Sequence, residues 1–542
     1  MNRRKARQLA SILRGEVHRA MTQMRIPGHP SPYFLSYLLR HDEEWRLEAK
    51  FGALTTDWHE QRRNCLADVR VGSYRRDQVR GGGLKDNATD VESYEMVRMP
   101  IAGSADGLRF ALWRLTEAKY REACDDLLHK KAVQLNYLDE HRALPAFQKC
   151  APVEAVHFES LPEFDPDAYR TLALKASASL KQFPFARDGY VRVTAHNAVR
   201  IFVSSEGTTI IQATPYRTIE LYLWYLSPKG HTFPQSKSFF VTDPAELPDL
   251  RQLNRAFREL YQRAEALANA PLLRSYTGPV LLDPKPAGLL IHEALGHRLE
   301  GNRLLSQGEG QTFRDSVGSE VVLPGLHVRD DPRLREFQGQ SLVGHYLYDD
   351  EGVPAQNAEL IREGVLRGFL TSRTPIAKRH QSNGHGRSAY HGRAMSRMGV
   401  TVVEADQGLS DDDLMQAFLE EIRAQQVPYG IRILEAYGGE TTTEAYDFQA
   451  FLGDIDMAAR VYPDGRQELV RGVDFVGTPL NAVRGIVAAG SRQEIDNAYC
   501  GAESGYVPVT TVSPALIVED LELQSKPSRP MTQYAYPMPW EQ

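Results

Sequence analysis

The chain has 542 residues, 42% hydrophobic and 25% charged, with a net charge of −6. That length exceeds one ordinary core, so two or more domains are expected. The balanced charge, with no long basic block, argues against nucleic acid as the main partner, and no run of about 18 apolar residues is present to span a membrane.

The basic N-terminus lacks the apolar stretch of a signal peptide. Leu9, Ile12, Leu13, Val17, Ala20 and Met21 recur at helical spacing and predict an amphipathic helix. Cys65, Cys124, Cys150 and Cys500 are scattered without a close pair, which is no disulfide framework and favours a reducing, cytoplasmic setting. "ADVRVGSY", within Phe51 to Tyr74, reads as a strand, and Arg80 to Asn87 as a flexible loop. Leu112, Leu115, Tyr120, Ala123 and Leu127 share one face of a long helix over Leu108 to Lys131. Between Tyr190 and Leu226 the β-branched and aromatic content predicts a meander of antiparallel strands with a turn at Glu206-Gly207. Leu253, Phe257, Leu260, Ala264 and Leu267 define a further helix stopped by Pro271.

A boundary near residue 275 follows. The expected fold class is α+β, with a mixed α/β N-terminal domain built on an antiparallel sheet (1–275) and a β-rich C-terminal domain (276–542). The second part opens on a strand, "TGPVLLD", then a helix, then short strands with turn signals at "DDEGVP", "REGVL" and "YPDG". One clear helix interrupts them, with Ser410 as N-cap, Asp411 to Asp413 in its first turn, and Leu414, Phe418 and Ile422 at helical spacing. The Pro-rich tail from Gln524 is expected to be extended, lying on this chain or on a partner.

The helix of the second part reads "LLIHEALGHRLEGN" from Leu289 to Asn302, with His292, Glu293 and His297 in six residues. A regular helix turns about 100° per residue, so an i, i+5 pair of histidines points about 140° apart and chelates poorly. A π-bulge or local unwinding at Gly296 would bring them together. Glu293, next to His292, then stands where a carboxylate takes a proton from a metal-activated water. Glu300 returns to roughly the face of His292, where it can ligate, orient a histidine or be solvated. Spacing alone leaves open a core helix with satisfied polar groups, although burying these three side chains without partners would be costly. Cys500, in "NAYCGAESGYVPVTTVSPALIVEDLEL", reads by itself as a small buried hydrophobe.

"HEALGHRLEGN" and this C-terminal segment together resemble the TldD/PmbA family of metallopeptidases, in its metal-bearing TldD branch. Asp349 to Arg373, Asn383 to Val400 and Tyr437 to Phe451 resemble further family segments in the same order, the second ending in Arg397-Met398. The resemblance runs from about Gly278 to Leu523 and is weak before that, "VSSEGT" (Val203 to Thr208) being its best point there.

It implies Zn2+ held by His292, His297 and Cys500, with Glu293 as general base. Arg387, His391 and Tyr390 become candidates for stabilising the oxyanion or contacting substrate, beside Glu300. It also implies an extended peptide substrate, small or unfolded, held through its main chain by strand addition. The implied assembly is a homodimer or a heterodimer with a metal-free paralogue. The N-terminal half is longer than the family's usual one, and Gly399-Val400 replace the usual residues after Arg-Met. The competing expectation is a non-catalytic, zinc-containing subunit that binds peptide or regulates.

Overall fold

The computed structural model describes residues 1–79, 96–134, 144–158, 163–306, 309–377, 379–389, 392–443, 450–526, 529–532 and 537–540. The loop expected at Arg80 to Asn87, and Tyr390 and His391, lie outside them. Helix α1 (Arg3–Gln23) starts at Asn2, whose side chain accepts from the Lys5 amide at 2.9 Å, and buries Ala6, Leu9, Ala10, Leu13 and Val17. An eight-stranded sheet follows, built mainly on β1 (Pro32–Lys50), β2 (Ala53–Ser73), β3 (Ala186–Ser204), β4 (Thr209–Leu226) and β5 (Thr232–Val241). Strand β1 pairs antiparallel with β2 on one side and β3 on the other. Sequence reading missed β1. Its first residues are covered on both faces and the rest carries charges, so no clean two-residue period shows.

One face of this sheet is covered by helices. Leu35, Tyr37 and Leu39 meet α1 and α2 (Ala105–Gln134). Leu47 and Ala49, on the same face by alternation, meet α3 (Pro166–Ala178) and α4 (Leu250–Asn269). Helix α4 begins at a capping box of Asp249 and Gln252. The opposite face, through Leu38, Leu66, Phe202 and Ile210, packs against Tyr348 of the second half. Around that seam Arg40 and Arg200 pair with Asp350, at 3.1 and 2.7 Å, and Arg373 pairs with Glu206 at 2.7 Å. The Glu206-Gly207 turn thus joins β3 to β4 and also supplies a buried contact.

The connection around residue 275 leads into β6 (Tyr276–Leu282) and an eleven-stranded sheet. Its main strands are β7 (Val400–Ala405), β8 (Gly430–Thr441), β9 (Phe451–Val461), β10 (Val473–Gly477), β11 (Ile486–Ala502) and β12 (Gly505–Ser525). Strands β6, β8, β9, β10 and β12 pair in a ring, since β12 also bonds to β6. Closing the ring leaves those strands no free edge. Helix α5 (Pro284–Ile291) leaves β6 with Pro284 at its first turn and buries Ala287, Leu290 and Ile291 in the largest core. Helix α6 (Asp411–Ala424) starts at Ser410, whose hydroxyl accepts from the Asp413 amide. The tail returns to the first half of its own chain: the Met531 amide bonds to the Gly230 carbonyl, and Trp540 stacks on Phe51 at 5.0 Å.

Candidate metal centre

Helix α5 does not stay regular. Its last turn, His292–Gly296, is a π-turn in which the His297 amide donates to the His292 carbonyl, five residues back. That longer repeat returns residue 297 to the side of residue 292. The two imidazoles lie 5.0 Å apart, nearly perpendicular at 88°. The backbone at Gly296 is ordinary right-handed helix, φ −54° and ψ −54°, which any residue adopts. The constraint there is space: a β-carbon would overlap Met398 Sδ, and that side chain would have to shift. The anticipated distortion is present, but backbone freedom at Gly296 is not its cause.

Strand β11 brings in the third side chain. Cys500 Sγ lies 3.3 Å from His297 Nε2, and ligand atoms of His292, His297 and Cys500 all fall within 4.8 Å of one another. All three residues are buried. Zn–S and Zn–N bonds of about 2.3 and 2.0 Å in a tetrahedron subtend an S···N edge of about 3.5 Å. The Cys500–His297 separation and the soft, mixed donor set therefore fit zinc with one position left over.

The surrounding groups orient this trio. Glu300, fully buried, sits with Oε2 3.3 Å from His297 Nδ1, which fixes the ring with Nε2 facing Cys500. Of the three roles open to Glu300, solvation is excluded and orientation is the one its geometry matches. Arg303 Nε donates to the same oxygen at 2.9 Å, and Arg397 Nε stands 3.2 Å from Oε1. Burial opposes ionising Glu300, yet His297, Arg303 and Arg397 hold its carboxyl at about 2. Burial likewise opposes a thiolate at Cys500, but the adjacent His297 and His292 hold that thiol well below its usual range.

Glu293 is also buried, with Cγ close to where a β-carbon on Gly439 of β8 would lie. Burial raises its carboxyl above the ordinary range, against the pull of His292 and His297. Arg387 is committed elsewhere: its Nη1 donates to the Met398 carbonyl and its guanidinium lies over the Tyr346 ring at 4.9 Å. Two residues that sequence reasoning gave no role, Arg303 and Arg397, turn out to surround the site. Arg397 had been seen only as part of an Arg-Met pair; spacing along the chain says nothing of its contact with residue 500.

Residues 275–525 match the PmbA/TldA metallopeptidase C-terminal domain. It is over those residues that the chain is similar to the TldD/PmbA family. It is 30% identical over 262 residues to a protein of Archaeoglobus fulgidus named metalloprotease, covering 48% of this chain and 56% of that one. It is 23% identical over 326 residues to the zinc metalloprotease TldD homolog of Saccharolobus solfataricus, covering 59% of this chain and 68% of that one. The chain spans little more than half the length of the first of these relatives. The crystal structure of TldE from Thermococcus kodakarensis shares the fold, with a TM-score of 0.58 at 14% identity, covering 91% of this chain and 97% of that one. Relatives in the TldD/PmbA family are thus named as metalloproteases, and one of them as a zinc enzyme.

Proposed function

We propose that this chain is a zinc-dependent peptidase of the TldD/PmbA family whose ligands are His292, His297 and Cys500. The observation that carries the reading is the convergence of those three buried donors beside a carboxylate with a raised pKa, Glu293. Zinc bound there would supply an acidified water and a Lewis acid for the scissile carbonyl. Glu293 takes the water's proton and returns it to the departing amine. Glu300 and Arg303 hold His297 in the tautomer that presents Nε2.

The substrate is a small or unfolded peptide in extended form. Strand β11, which carries Cys500, forms its backbone ladder along 493–502 with β12 alone among the described residues. Arg397 takes the Cys500 carbonyl and Asn497 bonds to Ser341 and Val343, so an added strand would pair on the remainder of the other edge of β11. Pairing with itself or with a metal-free paralogue belongs to the same reading. Glu293→Gln tests the mechanism. Peptide cleavage by the zinc-loaded protein should fall at least about 100-fold, the lower range of general-base contributions, while zinc content is unchanged. Unchanged cleavage would refute the role of Glu293. Zinc-loaded wild type that cleaves nothing in a peptide library would favour the peptide-binding or regulatory subunit instead.

A further inference from the structure

Arg397 is a fully buried arginine that no step above uses. Its guanidinium is spread over both halves of the metal trio. Nη2 donates to Cys500 Sγ at 3.1 Å and to the Cys500 carbonyl at 2.8 Å. Nη1 donates to Ser504 Oγ and to the Gly505 carbonyl, each at 3.0 Å, across the turn that joins β11 to β12. On its other side, Nε faces Glu300, which in turn holds His297 Nδ1. One planar fork therefore spans the thiol of one ligand and, through a carboxylate, the imidazole of another.

Resting on the zinc reading above, we infer that Arg397 is the positioning residue of the centre, placing Cys500 and His297 in register and tuning the thiolate. A cation donating to a thiolate draws charge off the sulfur, which weakens it as a donor and leaves the metal more electron-poor. The arginine is suited to this because its five N–H groups are fixed in one plane; a lysine in its place brings the charge without the fork. The location explains why so large a polar group is buried here. Anchors at Ser504 and Gly505 fix the guanidinium, and Glu300 neutralises it.

The test uses full-length protein loaded with cobalt(II) in place of zinc, and reads the sulfur-to-cobalt charge-transfer band. Arg397→Met and Arg397→Lys are compared with wild type. Removing a hydrogen bond from the sulfur should move that band to lower energy. Loss of positioning should outweigh the stronger thiolate donor, so zinc affinity, measured by chelator competition, should fall by about 10- to 100-fold, the usual effect of an outer-shell partner. The lysine variant should bind more tightly than the methionine variant while keeping a shifted band. An unchanged band in either folded, cobalt-loaded variant overturns the inference.

A second measurement needs no Arg397 variant. In wild type with 15N-labelled arginine, one guanidinium N–H signal should move on zinc loading and cease to do so in Cys500→Ser; no such signal overturns the inference. The two readings fail separately. A wild type with no charge-transfer band sinks the metal assignment itself, whereas a wild-type band indifferent to Arg397 sinks only this inference.

Discussion

Glu300→Gln keeps the shape of a fully buried side chain and removes one negative charge. Two groups lose a charged acceptor, His297 Nδ1 at 3.3 Å and Arg303 Nε at 2.9 Å, and Arg397 loses the ion pair it makes through Nε at 3.2 Å. Arg303 keeps Glu309 and Glu503, at 3.1 and 2.9 Å, so most of the damage falls on Arg397. Breaking a buried ion pair from one side costs about 3–5 kcal/mol. An independent route gives a similar figure. Folding takes the Glu300 carboxyl from 4.5 to about 2 despite burial, because His297 and the two arginines outweigh it. At about 1.4 kcal/mol for each tenfold change that is roughly 3 kcal/mol. A carboxyl depressed by folding stabilises above its unfolded value and ceases to as the pH falls through its folded one. The stability gap between wild type and variant should therefore be full at pH 7 and shrink below about pH 4.5. Urea unfolding of the metal-free proteins measures it, with about 3 kcal/mol expected at pH 7. A gap below about 1 kcal/mol, the level of an exposed pair, would refute the reasoning.

Gly296→Ala isolates the packing under the π-turn. With no clash, alanine in a helix would gain about 1 kcal/mol. Overlap with the buried Met398 should cost about 1–3 kcal/mol instead, so thermal melting should show a net loss, and Met398→Ala in the same chain should relieve part of it. A stabilised single variant would contradict the packing account. Asp349 and Glu351 form a buried acidic pair against Gly386, where a β-carbon would press on both carboxylates. Burial raises both, and Glu351 raises Asp349 further. Carboxyls raised by folding stabilise at low pH and lose that contribution as the pH rises, so the melting temperature should be higher at pH 5 than at pH 8. Glu351→Gln should flatten that difference, and a wild type equally stable at both values would contradict the pair's role.

Much of the site was legible in one dimension because its chemistry is local. His292, Glu293 and His297 sit within one helix, and the extra residue between the histidines required a distortion that the π-turn supplies. The reason for Gly296 was not legible, since Met398 arrives from a distant segment. Cys500 read as a buried hydrophobe until its neighbours were matched to a family, because a lone thiol carries no periodic signal. Arg303 and Arg397 escaped for the same cause: their partners, Glu503 and Cys500, belong to the last hairpin. In the fold, the helices with one apolar stripe were the readable elements. Strand β1 was not, because the sheet covers one of its faces with helices and docks part of the other against the second half.

The most direct test of the centre is X-ray absorption at the zinc edge of the loaded protein, in wild type and Cys500→Ser. The account predicts one sulfur at about 2.3 Å and two imidazole nitrogens at about 2.0–2.1 Å, with the sulfur lost in the variant. A wild-type spectrum without sulfur, or a sulfur that survives Cys500→Ser, would contradict it.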